Sequence, residues 1–214
     1  LAESFGMLRD PDEIEESREA LKNAVLLLER AQNQFGGWNA TPDGTATDDG
    51  SGAIAIMQIT ALRAARNAGI EVQIGTLKKA QKYLGEMTSA EGWYAYNYGA
   101  RGGGGMHSSA TTGAGMYMLG AFDLHTDPRY DKGIKNLMDG APFLGKGAGP
   151  DQGWSGWWHY TCFYASLAIF QHGGAEWRRW YPAMRDHLIK QQSADGSWPG
   201  DSYASSRRAY GTTS

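Results

Sequence analysis

The sequence predicts an all-α fold of about four helical hairpins. Three observations carry this. Apolar residues recur at helical spacing along most of the chain, amphipathic stretches alternate with nearly charge-free ones, and a turn containing glycine and tryptophan separates the members of each pair. The turns are Gly37-Trp38, Gly92-Trp93, Gly153-Trp154 and Gly196 with Trp198, at intervals of about fifty residues, the order of a helix-pair repeat.

Taken in order, Glu13 to Gln34 carries one stripe of Leu21, Ala24, Val25, Leu28 and Ala31 opposite Glu15, Glu16, Glu19, Lys22, Glu29 and Arg30, which predicts a half-wet helix. Ser51 to Asn67 has almost no polar face and is expected to be surrounded, capped by Asp49 or Ser51 and ended by Gly69. Thr76 to Met87 is amphipathic about Leu77, Ala80 and Leu84. Ser108 to Leu124 carries one charge, Asp123. Asp127-Pro128 is a cap followed by a first-turn proline, and Tyr130, Ile134, Leu137 and Met138 make the next stripe. Trp157 to Gln171 is charge-free. Trp177 to Gln192 is amphipathic again, broken or restarted at Pro182, and Ala209 onward reads as the first turn of an eighth helix. The alternation asks for two layers, outer helices half in water and inner helices enclosed.

The totals narrow the function. A chain of 214 residues with 41% hydrophobic content supports one substantial core, so residues 1–214 are expected to form a single domain. With 20 Lys+Arg against 23 Asp+Glu and a net charge of −3, there is no basic stripe to track phosphates, and no nucleic-acid partner is expected. Cys162 is the single cysteine and excludes an internal disulfide. No stretch has the length and hydrophobicity of a transmembrane helix, and Leu1 does not open a signal peptide.

The first and last turns share one strict pattern, Leu-x3-Gln-x3-Gly-x-Trp: Leu28, Gln32, Gly36, Trp38 and Leu188, Gln192, Gly196, Trp198. The second keeps Leu84 and Gly92 with Thr88 for Gln. Gln can bond orphan carbonyls at the helix end, Gly permits the reversal, and Trp covers the bend with a large apolar surface.

These turns resemble the repeat motif of squalene-hopene and oxidosqualene cyclases, whose fold family includes the β subunits of protein prenyltransferases. The likeness spans about Glu13 to Ser214 and implies an α/α toroid with a central apolar cavity. Four hairpins are fewer than a full ring of that family, which implies an open arc, a fragment, or closure by a further domain or chain. Gln171 to Gly200, with Arg208 to Ser214, also resembles bacterial proteins that carry such repeats without an assigned reaction.

Class II cyclases protonate their substrate with an Asp of an Asp-x-Asp-Asp motif. Ala46-Thr47-Asp48-Asp49 stands at the matching place with the first acid replaced by alanine. The resemblance makes Asp48 and Asp49 candidate proton donors; as plain sequence they are helix caps meeting the positive end of a dipole. The prenyltransferase zinc set is incomplete: the ligand position in Trp158-His159-Tyr160-Thr161-Cys162 holds Tyr160, with His159 one residue away. No metal and no cofactor are expected. Gly99 to Ser109 is glycine-rich before a helix and lacks the Lys-Ser/Thr of a phosphate loop.

Aromatic density is the main positive signal. Trp93, Tyr94 and Tyr96, with His107 at a helix mouth, and Trp154, Trp157, Trp158, His159 and Tyr160 are the candidate ligand contacts. Their faces suit an isoprenoid-like apolar chain, a glycan ring or an apolar peptide. The favoured reading is ligand or partner binding without established catalysis. The alternatives are a divergent class II cyclase using Asp48 or Asp49, and a carbohydrate-processing toroid, for which Asp151 and His107 join the acids to inspect.

Overall fold

A computed structural model describes residues 1–45, 50–96, 107–145 and 157–198 of the chain. Among them are seven α-helices: α1 (Pro11–Ala31), α2 (Gly52–Asn67), α3 (Ile74–Glu86), α4 (Ser109–Ala121), α5 (Pro128–Gly140), α6 (Trp158–His172) and α7 (Gly174–Gln191). Short 3-10 turns lie at Phe5–Met7 and Pro142–Leu144. The described residues form no β-sheet; the extended contacts are two isolated antiparallel bridges, Thr88 with Tyr94 and Ala95 with His107. None of these helices is long and apolar enough to cross a membrane.

The chain divides into two compact units, Leu1–Glu86 with Asn97–Gly99, and Met87–Tyr96 with Ala100–Ser214. In the first, α1 packs on α2 and α2 on α3. Asp10 caps α1 by accepting the Asp12 and Glu13 amides, and Pro11 opens it, so the helix starts two residues before Glu13. Leu21, Val25 and Ala31 are buried as the stripe requires. Ala24 is a correction: it is exposed, because it sits at the margin of the stripe. The expectation that α2 is enclosed is also corrected. One face, Ala55, Ile56, Ile59, Leu62 and Ala65, is buried, whereas Met57 is 63% exposed. A helix apolar all round is buried only as far as its neighbours reach, and α1 and α3 cover one side.

In the second unit α4 and α6 make the most extensive pairing, with α5 against both and α7 against α6. The α4 segment Ser109–Gly120 is buried except for Tyr117, which is half-buried. Its small residues let neighbours approach. A Cβ on Gly113 would lie 2.9 Å from the Ala165 amide nitrogen, and one on Gly115 would run into the Tyr94 ring. Ser108 caps α4 in a capping box with Thr111. Asp127 caps α5 and pairs with Arg129, whose guanidinium holds the Asp127 carboxyl below its ordinary value. The expected break at Pro182 is corrected too. Helix α7 runs through it, because Pro182 is exposed and the missing bond costs least on a wet face.

Tyr130 fixes α5 to α6. Its ring is 1% exposed and its hydroxyl donates to the Ala168 carbonyl at 3.5 Å. Burial, then the neighbouring Asp131 charge, pushes its pKa up to about 12 from 10. The fold therefore holds the protonated phenol more tightly than the unfolded chain does. That stability is complete below the unfolded pKa of about 10 and is lost as pH rises through about 12. A tyrosinate absorbance titration is expected to lose one late-titrating phenol in Tyr130→Phe; no change in the variant would refute this.

Candidate binding face on α4 and α6

The first and last glycine turns share one set of bonds. In the first, the Asn33 amide donates to the Gly37 carbonyl and the Gly36 amide to the Asn33 carbonyl, both at 3.0 Å. In the last, Ser193 and Ser197 make the corresponding bond at 2.8 Å, and Gly196 and Ser193 at 2.9 Å. Gly36 and Gly196 take φ of 94° and 82°, a region glycine enters without strain. The indole N–H of Trp38 donates to the Leu28 carbonyl and that of Trp198 to the Leu188 carbonyl, each at 2.8 Å. So tryptophan satisfies the helix-end carbonyl, a role expected of glutamine. Gln32 and Gln192 instead brace the turn, donating to the Gly36 and Gly196 carbonyls.

The second turn shows which residue stands for tryptophan. Ser89 bonds the Trp93 carbonyl, the Gly92 amide bonds the Ser89 carbonyl, and Gly92 has φ of 84°. Gly92 thus matches Gly36, and Tyr94, not Trp93, takes the place of Trp38. Tyr94 is fully buried against Gly115, with Thr111 donating to its carbonyl at 2.8 Å. Trp93, displaced outward by one residue, stacks on His107 with ring centroids 4.9 Å apart and planes 16° apart. The third turn and Trp154 lie outside the described residues.

The other candidate residues separate into two groups. Trp158 packs into a cluster with Phe143 at 6.0 Å and His187 at 5.1 Å, and Phe143 meets the buried Trp180 at 4.9 Å. Burial there, then Lys190, lowers the His187 pKa. His159 is buried. Tyr160 belongs elsewhere. Its ring lies 4.6 Å from Tyr164, which meets Phe163 at 5.0 Å and, across from α4, Tyr117 at 6.3 Å. Phe163 is 50% exposed, and Trp157, also exposed, stands at the start of the same helix. Phe163 and Tyr164 belong to the aromatic run of the sequence but not to the expected ligand contacts, and Tyr117 belongs to neither. The three- and four-residue steps from Tyr160 place them on one helical face, a signal that was available for Phe163 and Tyr164. Tyr117 had no such signal, standing in a helix without a polar side.

Asp48 and Asp49 lie outside the described residues, as does Asp151. Beside that loop a Cβ on Gly50 would meet the Trp38 carbonyl oxygen at 2.9 Å, and Asn33 Nδ2 and Asn39 Oδ1 at 3.0 Å. The side-chain nitrogens of Asn33 and Asn39, Asn39 Oδ1 and Ser51 Oγ are buried without a partner among the described residues. Among those residues no group of three or more His, Cys, Asp or Glu could hold a metal ion. Cys162, the single cysteine, is buried. An open cleft of about 510 Å³ runs between α5 and α7, walled by Asp131, Asp139 and Glu176 against Lys135 and Arg179, with His172 at its side. Lys135 pairs with Asp139, His172 lies against Asp131 and Glu176, and Arg179 donates to the Leu144 carbonyl.

The fold and site define a class: an all-α, multi-helix protein with a partly exposed aromatic cluster. No protein-family model, no curated protein and no solved structure matches the chain.

Proposed function

We propose that the chain is a repeat scaffold of the squalene-cyclase and prenyltransferase type, with inner and outer helices arranged as an α/α toroid. On this reading it binds an apolar or ring-shaped ligand, or an apolar partner segment, on the aromatic face of α4 and α6. The supporting observation is the contact of Tyr164 with Tyr117, Tyr160 and Phe163, with Phe163 half in water. Adjoining aromatic rings that reach solvent keep apolar area unpaired, and their faces accept an isoprenoid chain or a sugar ring. The recurrence of one turn geometry supports the repeat architecture.

Trp157 provides the reporter. Titration with farnesol and with a set of oligosaccharides, followed by tryptophan fluorescence, is expected to give a saturable change with farnesol. Tyr164→Ala should weaken it by about tenfold or more, the loss of one aromatic contact of about 1.4 kcal/mol. Circular dichroism checks that the variant folds. No saturable change with any probe, or unchanged affinity in Tyr164→Ala, would sink the reading. Product analysis of incubations with squalene separates binding from turnover: turnover abolished in Asp49→Asn would replace it with the cyclase alternative.

A further inference from the structure

Two of the described turns are covered in the same way. The peptide joining Lys79 to Ala80 in α3 crosses Gly36, the Lys79 carbonyl carbon falling 2.7 Å from where a Cβ would stand. In the second unit the peptide joining Lys132 to Gly133 in α5 crosses Gly92, the Lys132 carbonyl carbon at 2.8 Å. Polar bonds complete each seat. Gln32 Nε2 donates to the Thr76 carbonyl at 3.0 Å, and Lys132 and Asn136 donate to the Ala90 and Glu91 carbonyls at 2.7 and 2.8 Å. The receiving helices share a pattern of a large residue, a small one three later and Leu four after that: Leu77, Ala80, Leu84 and Tyr130, Gly133, Leu137.

The last turn has the same geometry, and among the described residues no helix peptide crosses its glycine. Gln32 and Gly36 are buried, whereas Gln192 and Gly196 are exposed. Gln192 Nε2 donates to the Gly196 carbonyl, with no second acceptor among the described residues. Among the described residues a Cβ on Gly196 would meet only Gln192, at 4.0 Å. Helix α1 offers the complementary half. It carries the receiving pattern as Leu21, Ala24, Leu28. Its small residue is exposed, beside exposed Ala20 and Asn23 and a Leu27 that is 54% exposed.

We propose that the turn at Ser193–Trp198 of one copy of this chain seats on α1 of a second copy, head to tail. It repeats a contact the chain already forms twice. Gly196 lies across the peptide between Asn23 and Ala24, Gln192 donates to the Ala20 carbonyl, and Asn23 donates to the turn as Lys132 does. The contact is heterologous, so association runs on to a ring or a filament.

Light scattering after size exclusion, across a range of concentrations of this chain, tests it. Wild type is expected to rise above the monomer mass with concentration. Ala24→Arg blocks the helix, and Gly196→Asn blocks the turn while tolerating its left-handed backbone. Each is expected to weaken self-association by at least about tenfold, as for loss of a central packed contact. An equimolar mixture should form dimers and nothing larger, because each variant keeps the half the other lacks. Leu27→Glu and Gln192→Leu form a second pair should either variant misfold by circular dichroism. A wild type that stays monomeric, as one whose turn is already occupied would, overturns the proposal. So does a blocked variant that associates like wild type, or a mixture of two monomeric variants that fails to dimerise.

Discussion

Replacing Trp38 with alanine is expected to destabilise its unit by about 3 to 5 kcal/mol, the range for deleting a fully buried large aromatic. Trp38 is 1% exposed, and its indole N–H closes the Leu28 carbonyl at the end of α1. The variant opens a cavity under the turn and leaves that carbonyl without its partner, two penalties that add. Trp198 makes the same bond to Leu188 but is half-buried. Less area returns to water when it is removed, so Trp198→Ala should cost about 1 to 2 kcal/mol. Urea unfolding followed by far-ultraviolet circular dichroism compares them. Equal shifts in midpoint would show that burial under the next helix adds nothing.

Gly92→Ala is expected to cost about 2 to 5 kcal/mol, from left-handed backbone strain and overpacking together. Its φ is 84°, and a Cβ would meet the Arg129 carbonyl oxygen at 2.7 Å and the Lys132 carbonyl carbon at 2.8 Å. Those are backbone atoms of α5, which cannot rotate aside. Gly69 separates the two contributions. It has φ of 78° and open space around it, so Gly69→Ala carries the backbone strain alone, about 1 to 2 kcal/mol. Thermal unfolding of both variants measures the difference. An equal cost would mean that α5 yields to the methyl group.

How much was legible follows the range of the interaction responsible. The Asp127-Pro128 start of α5, the Gly69 end of α2 and the bend after α1 rest on residues a few positions apart, and all stand where the sequence puts them. Pro182 misled for a related reason. Its effect on a helix depends on whether water reaches the freed carbonyl, which composition does not record. The aromatic face was half legible. Tyr160 was named with Trp157, but Trp158 and His159 differ from them by about 100° of rotation per residue, and only neighbours decide which rotation meets solvent. In the second turn, Trp93 looks like the tryptophan of the first; the bond from Ser89 shows that the register belongs to Tyr94.

From the chain alone came the all-helical class, the positions of the described helices, the repeated bend and the pool of aromatic residues, because helical periodicity, caps and positive-φ glycines act between neighbours in sequence; the helix expected from Ala209 lies outside the described residues. Tertiary structure decided which glycines lie under another helix, which side of α2 stays wet, and which rings meet as Tyr117 meets Tyr164. Those outcomes depend on segments far apart along the chain, where burial is a property of the partner as much as of the residue.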